Sequence, residues 1–345
     1  MALGDGIRRD IATVKKVERD RLRDAILALN TIRFADDVSL WFKQDEIHDS
    51  THVHFCPAFL PWHRELVNRF EAMLRAVDPE LSLHYWDWTQ DPTHAPDGSG
   101  GFVNFFTTDF MGNAADANGD EIEIGEPWKS AGFYGGPGPF RDDTEKPAHA
   151  PRIVTRQVSP GAPVTAAENT AAINAPDFVA FDDAIEGADG LHNRAHGFIG
   201  GSVGNPHTSF RDPFVYLLHS NVDRLFALWQ LKAGHPERLD PAQIYKAQSA
   251  GRNGYQNTKG GQRATIDPPE PGQPSDDDVE GPGQEPWWGI LSPLEPWAGP
   301  GAVAQTNATG IIKHVRTVRP WGPPENLQVF KDARDASVIR PPKYA

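Results

Sequence analysis

The chain contains a single cysteine, Cys56, among its 345 residues. One cysteine cannot close an intramolecular disulfide, and it cannot build a zinc site of the cysteine-rich kind. Histidine and carboxylate side chains are far more common, with 13 His and 47 Asp and Glu. Any metal that this chain binds must therefore be held by histidine or carboxylate.

Positive charge is also scarce in the sequence. The chain has 33 Lys and Arg against 47 Asp and Glu, a formal net charge of −14 at pH 7, and its basic residues form no cluster. A chain with this balance repels phosphate backbones, so we expect no nucleic-acid partner.

Long apolar runs are missing as well. No segment approaches the roughly 20 apolar residues that a membrane-spanning helix needs, and residues 1–20 lack the apolar centre of a signal peptide. We therefore expect no membrane association and no export signal in this chain. The expected location is the cytoplasm, or outside it after export together with a partner protein.

Apolar residues make up 39% of the chain and include ten Trp and eighteen Phe, which is enough for a large core. Three segments, residues 11–32, 63–77 and 212–234, have apolar side chains at steps of three or four, which predicts a helix in each. Asp212 is the expected N-cap of the last helix, and Gly234 lies just past its expected end.

A short helix is expected at residues 191–201, closed by two glycines. Residues 89–180 are rich in Gly, Pro, Asp and Asn and predict long loops over a helical core. From about residue 250 onward Pro and Gly are frequent and no helical period is visible. This pattern predicts one domain over residues 1–250 and a Pro/Gly-rich tail, residues 251–345, that wraps the same domain.

The histidines are distributed unevenly. His192 and His196 are four residues apart, so on a helix both rings project from one face and can bind one ion. His219 lies on the next predicted helix, where an antiparallel neighbour would bring it to the same point. Three neutral imidazoles around one position suit copper or zinc. A second cluster lies upstream, at His48, His52, His54 and His63.

Two common metal-enzyme signatures are absent. The chain has no HExxH motif, which argues against a metallopeptidase, and it lacks the Glu-x-x-His pairs of di-iron carboxylate bundles. Two metal sites built from histidine alone are therefore the better interpretation.

Four stretches together carry a family resemblance. They are HVHFCPAFLPWHR (52–64), LHYWDW (83–88), LHNRAH (191–196) and DPFVYLLHSNVDRLFALWQ (212–230). The chain resembles the type 3 copper family of tyrosinases and catechol oxidases, especially the bacterial tyrosinases. The resemblance implies a mainly α fold in which a four-helix bundle holds a binuclear copper site, with long loops and an irregular C-terminal tail.

The resemblance also implies which residues hold the two copper ions. The first ligand of the first copper falls on His48 rather than His52, because two ligands at i and i+2 rarely converge from an extended turn. Cys56 is interpreted as a buried free thiol rather than a thioether partner of His54. The implied copper ligands are His48, His54 and His63 for the first ion, and His192, His196 and His219 for the second.

The family chemistry implies ortho-hydroxylation of monophenols and oxidation of o-diphenols to o-quinones by O₂. A catechol oxidase or an o-aminophenol oxidase without monophenolase activity is the alternative, and a haemocyanin-like oxygen carrier shares the same copper pair. The implied partners are small phenols and O₂, together with a copper-loading helper protein.

Two further sets of residues follow from the resemblance. Glu186, with Asp183 as the alternative, and Asn193 would hold a water molecule that takes the proton from a phenol. The residues expected to line an open substrate pocket are Gly197, Pro206 and Phe210.

Overall fold

The computed structural model is mainly α-helical within the part of the chain that it describes, which confirms the predicted fold class. The described residues are 4–32, 39–51, 54, 59–133, 153–206, 208–239 and 343–344. The α-helices within these ranges are α1 (Lys16–Leu29), α2 (Leu40–Thr51), α3 (Phe59–Val77), α4 (Ala166–Ile173), α5 (Phe178–Glu186), α6 (Leu191–Ile199) and α7 (Phe214–Gln230).

Short elements complete the described part of the fold. Two 3-10 helices span Ser209–Arg211 and Pro236–Leu239. The antiparallel strand pairs are β1 (Ala95–Pro96) with β2 (Phe102–Val103), and β3 (Ile122–Glu123) with β4 (Thr155–Arg156). Among the described helices, none combines the length and the apolar character that crossing a membrane requires.

Helix α7 lies at the centre of the core. Every residue of α7 except Arg224 and Leu228 is buried, and the helix packs mainly against α3 and α4. The Asp212 carboxylate accepts a hydrogen bond from the Phe214 backbone N–H at 2.8 Å, which caps the helix as expected. The helix ends at Gln230, short of Gly234.

The two predicted N-terminal helices are present with different bounds. Helix α1 begins at Lys16, because residues 11–14 form turns and Lys15 is extended. Val17 is half exposed instead of facing the core. Helix α3 begins at Phe59, four residues earlier than predicted. Pro61 falls in its first turn, where the missing N–H has no helical partner in any case.

The prediction of loops throughout residues 89–180 is wrong for its last part. Helix α4 occupies Ala166–Ile173 and begins with a capping box, in which Thr165 and Glu168 satisfy each other's backbone N–H groups. The Thr-x-x-Glu pattern was visible in the sequence. The high Gly and Pro content of the surrounding segment concealed it.

The short helix expected at residues 191–201 is confirmed as α6. It ends at Ile199, and the two following glycines have φ angles of +64° and +52°. A Cβ at Gly201 would lie 2.3 Å from the Thr155 carbonyl oxygen, so only glycine lets the chain pass this close to β4.

Most of the predicted tail lies outside the described residues, and the division into residues 1–250 and 251–345 stays a prediction. Lys343 and Tyr344 are described, and they lie against the helical core. The Tyr344 hydroxyl donates to the Asp223 carboxylate and accepts from Arg8 Nη1, each at 2.8 Å. The end of the chain therefore contacts α7.

Candidate metal centre

Six histidines form two groups of three in the centre of the helical core. Within each group, one ligand nitrogen per residue lies within 4.8 Å of the others. The first group has His48 on α2 and His63 on α3, with His54 in the segment between them. The second has His192 and His196 on α6 and His219 on α7. The structure thus brings together all six histidines predicted from the sequence.

In the first triad the rings surround a common point. The ring centroids of His48 and His54 are 5.1 Å apart, those of His48 and His63 are 5.5 Å apart, and those of His54 and His63 are 5.2 Å apart. The three distances are nearly equal, as expected for three side chains that face one ion.

The second triad is equally compact. The rings of His192 and His196 are 4.4 Å apart, and each lies about as close to His219, at 5.0 and 5.2 Å. The Nε2 atoms of His196 and His219 approach to 3.1 Å. Two nitrogens can lie this close while binding the same ion, since each metal–nitrogen bond is about 2.0–2.1 Å long.

The two triads also face each other. The ring of His63 stacks on that of His219 at 4.8 Å with an angle of 11°, and the rings of His54 and His192 are 6.2 Å apart. Helices α3 and α7 are in extensive contact, so this closeness follows from the central helix pair of the fold. Two ions bound here would be neighbours.

Backbone carbonyls and one amide set the protonation of the imidazoles. His63 Nδ1 lies 2.9 Å from the Phe59 carbonyl oxygen, and His196 Nδ1 lies 2.6 Å from that of Val203. A carbonyl oxygen only accepts hydrogen bonds, so Nδ1 carries the proton and Nε2 keeps its lone pair. Both rings therefore present Nε2 as a ligand.

The Asn193 side chain fixes which nitrogen of His192 carries the proton. Its Nδ2 group donates to the carbonyl oxygens of Glu186 and Gly187 at 3.0 and 2.9 Å, which turns Oδ1 toward His192 Nδ1 at 2.9 Å. His192 Nε2 is buried and has no hydrogen-bond partner among the described residues. A buried nitrogen with its lone pair free fits a metal ligand.

Burial keeps the second triad neutral. Desolvation lowers the pKa of His192 and His219 well below the ordinary value, and neighbouring imidazoles lower both further. Desolvation also lowers the pKa of His196 to about 4. The rings are therefore unprotonated at neutral pH, which is the form that binds copper or zinc.

Comparison with known protein families identifies the centre. The family model described as the common central domain of tyrosinase matches residues 33–232, more than half of the chain. The chain belongs to the tyrosinase family. The cofactor of this family is a pair of copper ions, and the two histidine triads fit such a pair in donor type, number and burial.

Individual tyrosinase-family relatives agree with this assignment. The chain is 27% identical over 253 residues to a tyrosinase of Streptomyces lincolnensis, covering 68% of this chain and 86% of that protein. It is 30% identical over 210 residues to hemocyanin 1 of Megathura crenulata, covering 57% of this chain and 6% of that protein. A polyphenol oxidase variant from Thermothelomyces thermophila shares the fold, with a TM-score of 0.55, 24% identity and coverage of 69% and 74% of the two chains.

Two phenylalanines enclose the copper centre of this tyrosinase-family chain. The Phe59 ring lies 4.4 Å from that of His63 and 5.0 Å from that of His192. The Phe210 ring lies 4.1 Å from that of His48 and 5.0 Å from that of His219. Both phenylalanines are fully buried, and each packs against histidines of both triads.

The three predicted pocket residues have different surroundings. Gly197 and Pro206 are exposed, and a Cβ at Gly197 would meet no atom within 4 Å. Phe210 is fully buried against the histidines. Gly197, directly after His196, therefore has open space around it.

The predicted water-holding pair is brought together by backbone contacts. Glu186 is the last residue of α5 and is 2% exposed, and its carbonyl oxygen accepts from the Asn193 amide. Asp183 lies one turn earlier and is partly exposed. The catalytic roles of Glu186 and Asn193 stay predictions, while His52 and Cys56 lie outside the described residues.

Sequence reasoning missed the carbonyl contacts of Phe59 and Val203. Phe59 precedes His63 by four residues, so on a helix its carbonyl faces the next turn; this was a readable signal once α3 was known to begin early. Val203 reaches His196 through the loop after α6, and its position could not be read from residue spacing.

Proposed function

We propose that this tyrosinase-family copper oxidase acts on both monophenols and o-diphenols. It would hydroxylate monophenols at the ortho carbon and oxidise o-diphenols to o-quinones. The observation that carries the proposal is the facing pair of histidine triads, joined by the stacked rings of His63 and His219 at 4.8 Å.

The overall reaction balances without a further reductant. One O₂ converts two o-diphenols to two o-quinones and two waters, and one O₂ converts one monophenol to one o-quinone and one water. When bound, the copper pair would supply O₂ activation and the exchange of electrons with the phenol. The protein residues would then position the ligands, exclude water and move protons.

Exclusion of water falls to the two enclosing phenylalanines. Phe59 and Phe210 are fully buried and cover the histidine rings from two sides. A dry, low-dielectric centre strengthens the interaction between the metal pair and a bound phenolate oxygen. Because Gly197 leaves open space after His196, we place the entry of the phenol ring at that side.

Proton removal is the step that would separate monophenols from easier substrates. A phenol has a pKa near 10 and must lose its proton to bind a copper ion as phenolate. We assign this proton to a water molecule held by Glu186 and Asn193. The burial of Glu186 and the carbonyl contact that fixes Asn193 beside it support this assignment.

The proposal is tested by initial rates of copper-loaded protein on tyrosine, catechol and o-aminophenol. We expect Glu186→Gln to lower the rate on tyrosine roughly 100-fold, because a general base contributes on that order. The rate on catechol should change much less. Asp189→Asn, which alters an exposed carboxylate three residues further along, is the matched control and should leave all three rates unchanged.

Other outcomes point to the alternatives. Oxidation of catechol without any reaction of tyrosine, even after a trace of diphenol is added, would assign the chain as a catechol oxidase. A preference for o-aminophenol would assign it as an aminophenol oxidase. Reversible oxygenation without quinone formation would indicate an oxygen carrier.

A further inference from the structure

Helix α2 carries His48, one of the six histidines of the centre. Trp41, Asp45 and His48 are spaced i, i+4 and i+7, so their side chains lie along one stripe of the helix. All three are buried. Whatever packs on this stripe sets the position of His48.

The 3-10 helix Ser209–Arg211 contacts each of these three side chains. Trp41 Nε1 donates to the Arg211 carbonyl oxygen at 3.2 Å. Arg211 Nε forms an ion pair with the Asp45 carboxylate at 3.0 Å, and the two side chains are 13% and 1% exposed. The Phe210 ring lies against the His48 ring, with centroids 4.1 Å apart.

The 3-10 helix is itself fixed to the helix of the other triad. Asp212, the next residue, forms a fully buried bidentate ion pair with Arg156 at 2.6 Å and caps α7 through the Phe214 N–H. Phe210 also packs on His219, which α7 carries. The 3-10 helix therefore fixes the position of α2 relative to the start of α7.

We propose that Phe210 and Arg211 are positioning residues for the first copper site. They fix His48 relative to the second triad through the Asp45 ion pair and the ring contact, and so determine whether the first triad closes on its ion. This inference rests on the proposed role of His48 as a copper ligand.

A histidine triad loses affinity for its metal ion when one of the three ligands is not held in place. Residues that contact the metal ligands and orient them, without binding the metal themselves, typically contribute 10–100-fold to metal affinity. Removing the Arg211 charge leaves Asp45 buried without this cation, which favours displacement of α2 toward water. The second triad lies on α6 and α7, and its ligands have no contact with Arg211 among the described side-chain bonds.

The test is the number of copper ions per chain, measured by native mass spectrometry during titration with a competing chelator. We expect Arg211→Gln to weaken one of the two copper ions at least tenfold and to leave the other at its wild-type affinity. Arg211→Lys, which keeps the charge, should restore part of the loss. Arg21→Gln is the control and should retain both ions. It breaks a partly exposed ion pair between Arg21, on α1, and Asp78, just after α3.

Combined variants identify the weakened site. Arg211→Gln added to His219→Ala should leave a chain without tightly bound copper, whereas Arg211→Gln added to His63→Ala should bind the same single copper as His63→Ala alone. Asp45→Asn removes the other charge of the same ion pair and should reproduce the selective weakening if Arg211→Gln does not fold.

Two outcomes overturn the inference. In one, Arg211→Gln and Asp45→Asn both bind two copper ions with wild-type affinity. In the other, both variants fold and lose the two ions together. Failure of the proposed function is distinct from either, since it would be seen as wild-type protein that binds two copper ions and oxidises no phenol.

Discussion

Replacing Asp10 with Asn should stabilise the protein at neutral pH. Asp10 lies in the extended segment before α1, is 8% exposed, and accepts a hydrogen bond from the Ala12 backbone N–H at 3.0 Å. Burial raises the pKa of this carboxyl from 3.8 to about 6, with a smaller contribution from the Asp87 charge. An Asn side chain can accept the same hydrogen bond and carries no charge.

The magnitude follows from the two pKa values. A carboxyl whose pKa is higher in the folded than in the unfolded state binds its proton more tightly when folded. The contribution of protonated Asp10 to folding stability is therefore complete below pH 3.8, and it is lost as the pH rises through about 6. Each pKa unit corresponds to about 1.4 kcal/mol, so ionised Asp10 costs on the order of 3 kcal/mol at pH 7.

Urea unfolding of the wild type and Asp10→Asn between pH 4 and pH 7.5 measures this difference. The variant should be more stable at pH 7.5 by up to about 3 kcal/mol, and the difference should shrink toward zero near pH 4. Asp189→Asn, at an exposed position, should show no such trend. A variant that is equally stable at both ends of the pH range, or less stable at pH 7.5, would refute the reasoning.

Three other variants test the packing around the centre. Arg8→Met should cost about 3–5 kcal/mol in chemical unfolding, because it leaves the buried Glu71 and Asp223 carboxylates without this cation; unchanged stability would contradict it. Tyr344→Phe should cost about 1.5–3 kcal/mol by the same assay, since it loses two hydrogen bonds to charged groups. Gly197→Ala should raise stability by about 0.5–1 kcal/mol, because its Cβ meets no atom within 4 Å.

The local parts of the site could be predicted from the sequence. His192 and His196 share a helix face by spacing alone, and the apolar helix that carries His219 was recognisable from its periodicity. Motif resemblance assigned His54 and His63, and His48 was preferred over His52 because ligands at i and i+2 rarely converge. The structure places all six in two triads.

Contacts between distant segments could not be predicted. Arg64 follows His63 on α3 and bonds to Asp223, which lies one turn after His219 on α7 and is 159 residues away in sequence. This buried pair ties together the two helices whose histidines stack. Neither residue stands out in the sequence, since single Arg and Asp residues occur throughout it.

The burial of Phe210 against the histidines is a second contact that could not be predicted from the sequence. Phe210 was expected from the family resemblance to line an open pocket, and the structure shows it buried between His48 and His219. Its direction is set by the 3-10 helix and by the Arg156–Asp212 ion pair, which depends on β4. Residue counting along a loop carries no information on such packing.

Oxygen uptake by the copper-loaded protein with catechol tests the proposed activity most directly. An oxygen electrode combined with quinone absorbance should record one O₂ consumed for every two o-quinones formed, and no uptake by protein freed of copper. Protein that holds two copper ions per chain but consumes no O₂ with catechol, tyrosine or o-aminophenol would contradict the assignment as a phenol oxidase.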